Sequence, residues 1–209
     1  RAMRALGAGI HSVITFNEPN ILLLLKPMLP PQVWDIQKLT LERAAKRLGV
    51  PKFVSANVAG VEDLPALQKG MLVAHKAGKA AIKAVRPDLP VGFSLAMMDD
   101  QAVGKNSIRD AMRQELYGAW LEVAKTDDFL GVQNYERALW TDKDRLPAPK
   151  GSVVNWGGTE VWAPSLAGAV RYAHQATEVP ILVSEHGVGT TDDSVRQAFI
   201  PAALADLKK

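Results

Sequence analysis

Ile10-His11-Ser12-Val13-Ile14-Thr15-Phe16 runs directly into Asn17-Glu18-Pro19, and Pro180-Ile181-Leu182-Val183-Ser184 runs in the same way into Glu185-His186-Gly187. Both are short, largely apolar or small runs that stop at an acidic residue. Near-continuous apolar runs of this length suit strands that are covered on both faces, as in a parallel sheet. An acid placed where such a strand gives way to a loop is badly placed for a core and well placed for a cleft. If both strands belong to one parallel barrel, both carboxylates open into the same mouth, because barrel sites sit at the C-terminal ends of the strands.

Working outward from these two runs, residues 91–96 and 129–133 read as further strands of the same kind. Helical spacing and stop signals place helices over residues 32–48 (closed by Gly49 and Pro51), 64–85 (closed by Pro87), 107–125, 164–177 and 192–207. Residues 53–58 read equally as a fifth strand or a loop. Residues 143–158, with Pro147, Pro149, Gly151 and Gly157, read as a long loop of the kind that often joins a binding surface. Strands alternating with helices imply βα units and a parallel sheet. Four or five strands do not close a barrel, and an open one leaves unpaired edges. The expected fold is therefore α/β, a partial (β/α)8 TIM barrel truncated at both ends, forming a single incomplete domain over residues 1–209. The length agrees, since a whole barrel takes about 250 residues. The chain opens on Arg1, so the natural start, with any signal peptide, is expected upstream.

Composition narrows the chemistry. With no cysteine, disulfides, thiolate–zinc sites and a cysteine nucleophile are excluded. The net charge of +3 comes from 25 basic and 22 acidic residues spread along the chain, so no nucleic-acid partner is expected. The aliphatic run from Ile21 to Leu25 is far too short to cross a bilayer, so no membrane partner is expected. The lack of cysteine fits a cytoplasmic location, with secretion the alternative because the natural start is expected upstream. Gly187-Val188-Gly189-Thr190-Thr191-Asp192 lacks the third glycine of a dinucleotide fingerprint, and Gly7-Ala8-Gly9 precedes a strand instead of following one. The four histidines are scattered, and no phosphate-loop sequence is present. No metal and no organic cofactor is implied. The Asp99-Asp100 and Asp192-Asp193 pairs suit caps and loops better than a cation site.

Two carboxylates in one mouth are the equipment for breaking a glycosidic bond. Asn17, beside Glu18, has an amide suited to a sugar hydroxyl, and Pro19 fixes the chain as it leaves the strand; the plainer reading is a helix-capping turn. Glu185 on its own would be an ordinary strand-end acid, with Gly187 free to turn the chain sharply. His186 suits a hydrogen-bonding role better than a proton shuttle. Tyr135, after Gln133-Asn134, is placed to reach a carboxylate across the mouth, or else is a rim aromatic. Trp140, Trp156 and Trp162 suit stacking on sugar faces, or packing.

Thr15-Phe16-Asn17-Glu18-Pro19 resembles the acid/base motif of glycoside hydrolase family 1, the β-glucosidase family. Ile181-Leu182-Val183-Ser184-Glu185-His186-Gly187 resembles that family's nucleophile motif, with Ser184 and His186 where threonine and asparagine are usual. Asp128-Phe129-Leu130-Gly131-Val132-Gln133-Asn134-Tyr135 is similar to the strand that ends in asparagine and two tyrosines, with Gln133 in the asparagine place. Trp162-Ala163-Pro164-Ser165-Leu166 looks like the segment leading into the helix before the nucleophile strand. The resemblance covers the fourth barrel strand through the helix after the seventh. It implies a retaining β-glycosidase acting on a small β-glycoside or oligosaccharide, with Glu18 as acid/base and Glu185 as nucleophile. Asn17, Gln133 and Tyr135 then bind substrate, and Tyr135 also touches the nucleophile. The family's sugar-holding glutamine and His-Trp pair, and the glutamate and tryptophans of its eighth strand, are absent, so the piece alone is expected to be inactive. Another barrel glycanase of the same clan, such as an endo-acting cellulase, and a non-catalytic sugar-binding fragment are the alternatives. The preferred sugar and the oligomeric state are not legible.

Overall fold

A computed structural model describes residues 9–55 and 58–209. Among these residues the strands are β1 (Val13–Asn17), β2 (Val91–Ala96), β3 (Asp99–Ala102), β4 (Phe129–Asn134), β5 (Arg137–Trp140) and β6 (Ile181–His186). The helices are α1 (Ile21–Leu25), α2 (Pro31–Leu48), α3 (Leu64–Lys83), α4 (residues 109–124, with a π-helical turn at Gln114–Gly118), α5 (Ser165–Thr177) and α6 (Asp193–Leu207). β1, β2, β4 and β6 form one sheet in that order, every neighbouring pair parallel. Helices follow each of these strands, which makes the architecture α/β and a partial (β/α)8 barrel. β3 and β5 pair in parallel as a separate two-stranded ladder.

Burial explains the order. β2 and β4 are buried along their whole length; most of their residues are apolar or small, and the polar Ser94, Gln133 and Asn134 are hydrogen-bonded within the protein. β1 and β6 flank them and are partly exposed, with Ile14 and Leu182 reaching solvent. The core lies between the sheet and its helices, where Phe93, Leu95, Leu130 and Val132 meet Leu116, Trp120, Ala169 and Ala173. On β1, the Thr15 hydroxyl lies 2.7 Å from His75 Nδ1 of α3. His75 Nε2 lies 3.0 Å from Asp127, which also accepts from Lys79 Nζ at 2.7 Å. His75 and Asp127 are buried, so this chain of contacts fixes β1 and the entry to β4 against one helix.

The helix boundaries follow their end signals. α2 begins on Pro31 and ends at Gly49 in the left-handed region, φ 67°. Asp192 caps α6, accepting the Ser194 N–H at 2.9 Å. Some expectations needed correction. β1 starts at Val13 rather than at residue 10. Ser55 and Val58 form an isolated antiparallel bridge and not a strand of the main sheet, while residues 56 and 57 lie outside the described residues. β3 and β5 were not anticipated. Asp99 and Asp100 belong to β3, not to a cap or loop; the burial of acidic residues disguised a strand.

The glycine in the middle of β4 decides how closely its neighbours approach. Gly131 pairs with Ser94, and a Cβ there would lie 2.6 Å from Ser94 Oγ and 2.9 Å from its Cα. Over that gap the Ser94 and Ser184 hydroxyls hydrogen-bond, joining β2 to β6 across the strand between them. Gly131→Ala is therefore expected to destabilise the fold by about 1–3 kcal/mol through overpacking. Urea denaturation checks it, with Gly70→Ala, where a Cβ meets open space, as control.

Candidate active site

Glu18 stands immediately after β1, and Glu185 is the fifth residue of β6, so both lie at the C-terminal end of the parallel sheet with β2 and β4 between them. Each strand carries an irregularity just before its acid. Ile14 pairs with Gly92 and Asn17 with Ser94, so β1 holds one extra residue there. Val183 pairs with Val132 and Glu185 with Gln133, so β6 holds one too. A bulge bends a strand and re-aims the side chains beyond it.

The turn after β1 is pinned through backbone and amide groups. The Glu18 N–H donates to the Ser94 carbonyl at 2.8 Å. Asn20, buried, pairs its amide with Ala96: Nδ2 donates to the Ala96 carbonyl at 2.8 Å, and the Ala96 N–H donates to Oδ1 at 3.2 Å. Glu18 itself sits at φ 46°, an uncommon region for a residue with a Cβ and directly ahead of a proline. Asn20 is the N-cap position of α1, but its side chain does not cap the helix. At the end of β4, buried Asn134 donates to the carbonyls of Met97 (2.9 Å) and Glu136 (3.1 Å) and accepts from the Ser165 hydroxyl (2.8 Å). It thereby locks the strand end to the segment after β2 and to the start of α5.

The two acids have different surroundings. Glu185 accepts at both oxygens, from Gln133 Nε2 at 2.8 Å and from the Tyr135 hydroxyl at 2.5 Å. Gln133 Nε2 also donates to Asn17 Oδ1 at 2.6 Å. Burial first, and the nearby charge of Glu185 second, push the Glu18 carboxyl above its ordinary value. Burial, the bond to Glu185 and the charges of both glutamates push the Tyr135 phenol up, so it stays a neutral donor. Hydrogen bonds thus join Asn17, Gln133, Tyr135 and Glu185 in one group, and the Glu18 carboxyl lies near enough to feel the charge of Glu185.

Neighbouring candidates fall outside that group. His186 turns its Nδ1 to the Asn134 carbonyl (2.7 Å) and stacks on Phe199 of α6, while burial lowers its pKa and keeps it neutral. Trp140 is buried, donating to Asp100 at 2.7 Å. Trp162 carries the Arg137 guanidinium 3.8 Å over its ring. Trp156, by contrast, is 75% exposed and rests on Gly189, just past β6. Burial raises Asp100 to about 6. Among the described residues no three His, Cys, Asp or Glu side chains converge as a metal-ligand set, and no helix is long and apolar enough to cross a membrane. A hollow of about 450 Å3 on the flank of α3, lined by Val54, Leu67 and Met71, includes neither glutamate.

No protein-family model matches the sequence, and no curated protein matches it. Solved structures do. The chain is similar to beta-glucosidase 1317 in its apo form, at 30% identity and a TM-score of 0.84, covering 95% of this chain and 48% of that one. It is also similar to beta-glycosidase BGL167, at 34% identity and a TM-score of 0.80, covering 99% and 50%. The hyperthermophilic beta-glucosidase from Pyrococcus furiosus, at 20% identity and a TM-score of 0.65 over 73% of this chain and 36% of that one, shares the fold. The chain spans about half the length of the first two structures. Its structural neighbours are thus β-glucosidases and β-glycosidases, and its fold is the one they share.

Two substitutions at Glu18 probe this geometry through stability. Folding raises the Glu18 pKa above 4.5, so the folded state holds that proton more tightly than the unfolded chain. The associated stability is complete below pH 4.5 and is lost as pH rises through the folded value. Glu18→Gln should therefore gain on the parent chain as pH rises from below 4.5 to neutrality, read from urea midpoints at each pH. Glu18→Gly should relieve the backbone strain and raise stability by about 1 kcal/mol at neutral pH. A differential melting curve checks it.

Proposed function

We propose that this chain carries the paired carboxylates of a retaining β-glycosidase of glycoside hydrolase family 1. The carrying observation is the asymmetry of the pair: Glu185 accepts two hydrogen bonds, while burial and the charge of Glu185 favour the protonated form of Glu18. A carboxyl that favours its proton suits the acid, and a neighbour fixed by a donor on each oxygen suits the nucleophile. Retention with two such groups calls for a separation of about 5–5.5 Å.

In this reading the Glu185 carboxylate attacks the anomeric carbon. The bond to the leaving oxygen breaks, and that oxygen takes the proton of Glu18. A glycosyl ester on Glu185 results, and Glu185 loses its charge. Burial still favours the proton on Glu18, but that loss removes the added repulsion from Glu185, so Glu18 becomes the better base for this step. It takes a proton from water, whose oxygen attacks the anomeric carbon and frees Glu185. Tyr135 holds the Glu185 carboxylate in place before attack, and Asn17 has an amide N–H available for a sugar hydroxyl. The substrate is a terminal β-glycoside or short oligosaccharide.

Similarity to β-glycosidases over about half their length supports this reading and leaves the whole protein's activity to assay. The test is hydrolysis of an aryl β-glucoside, both by the 209-residue chain and by any longer polypeptide carrying it. The longer polypeptide is expected to turn over with retention, and the 209-residue chain alone to be inactive. Glu185→Gly should reduce kcat by on the order of 10^4–10^6-fold, the loss seen when a nucleophile is removed. Azide should restore turnover, giving a glycosyl azide of inverted configuration. Undiminished turnover in the variant would remove Glu185 from the mechanism; oligosaccharide chain-length preference separates an endo-acting glycanase.

A further inference from the structure

The resemblance implies that Gln133 touches substrate, while its hydrogen bonds in the structure run to protein groups. Its side chain is 1% exposed, and its carbonyl oxygen is buried with no hydrogen-bond partner. Both of its hydrogen bonds come from one nitrogen: 2.6 Å to Asn17 Oδ1 on β1 and 2.8 Å to Glu185 Oε1 on β6. A primary amide has two N–H bonds, and these two acceptors use both. β1 and β6 are not neighbours in the sheet, so no backbone ladder joins them. The Gln133 side chain, rooted on β4, grips the residue before one glutamate and the carboxylate of the other.

We infer that Gln133 is a positioning residue that sets the placement of Glu185 relative to Glu18 by clamping Asn17 and Glu185 together, rather than a substrate-binding residue. A buried N–H that donates to a carboxylate holds it in direction as well as in place. The clamp therefore fixes the spacing of the pair across two intervening strands. The length of glutamine matters, since asparagine in its place lacks one methylene of the reach. The inference concerns the same residues as the proposed glycosidase, but the clamp is tested without turnover, so either can fail alone.

The experiment is NMR of the 209-residue chain without ligand, with 13C reporting the glutamate carboxyls and 15N the side-chain amides. In the unaltered chain both Gln133 Nε2 protons should be protected from exchange and show couplings through the hydrogen bonds to the Asn17 amide carbon and the Glu185 carboxyl carbon. Free exchange with no such coupling would overturn the clamp, and this readout needs no variant. Gln133→Leu should move the Glu185 carboxyl and Asn17 side-chain resonances, and Gln133→Asn, which keeps an amide, should move them less. A folded Gln133→Leu chain with both sets of resonances unmoved would also overturn the proposal. In an active polypeptide the same variant should lower kcat far more than it changes KM; a change in KM alone would return Gln133 to substrate binding.

Discussion

The proposed chemistry depends on giving two neighbouring carboxyl groups unequal surroundings. Like charges resist sharing a partly buried site, and the group with fewer compensating contacts takes up the proton. Here the contacts are unequal. Glu185 has a donor on each oxygen, from a buried amide and from a phenol whose own ionisation is suppressed. Glu18 sits in a desolvating turn beside that charge. The inequality of the two environments comes from where Gln133 and Tyr135 stand and from the burial of Glu18, and the proposed roles rest on it.

Holding that arrangement is demanding, because the glutamates belong to the two flanking strands of the sheet. β1 and β6 are its least buried strands, and each breaks register one or two residues ahead of its acid. The stiffness comes from the fully buried strands between them. Ser94 of β2 receives the Glu18 N–H on its carbonyl and meets Ser184 of β6 with its hydroxyl, through the space Gly131 leaves. Asn20 binds its turn to Ala96 at the end of β2, and Asn134 binds the end of β4 to Met97 just beyond it. The left-handed backbone at Glu18 persists because these contacts over-determine the turn.

Much of this was legible in the sequence where chemistry and pattern agreed. The runs at 91–96 and 129–133 are apolar because both faces are covered, and β2 and β4 follow them closely. The acids mark the ends of β1 and β6 because a strand end opens into the mouth. β3 was hidden because Asp99-Asp100-Gln101 does not look like a strand; there Asp100 is paired with an indole instead of with water. Asn20 and Asn134 were passed over because a buried asparagine serving backbone groups looks in sequence like any turn residue. The three tryptophans could not be sorted, since exposure is decided by distant partners: an aspartate for Trp140, an arginine for Trp162, solvent for Trp156.

Gln133 shows where reading by resemblance gives out. A residue's place in a motif says which neighbours it has, not which way its polar atoms face. An exposed amide at that place would serve a sugar. A buried one cannot, and must spend its donors on protein acceptors or lose the hydration free energy of the group. At 1% exposure the choice is already made, and the acceptors available are those of the strands that carry the two acids. In the clamp we infer, burial makes Gln133 part of the frame. By the same logic Trp156, the tryptophan left with an open ring beside the segment after Glu185, keeps the capacity for recognition that Gln133 has given up.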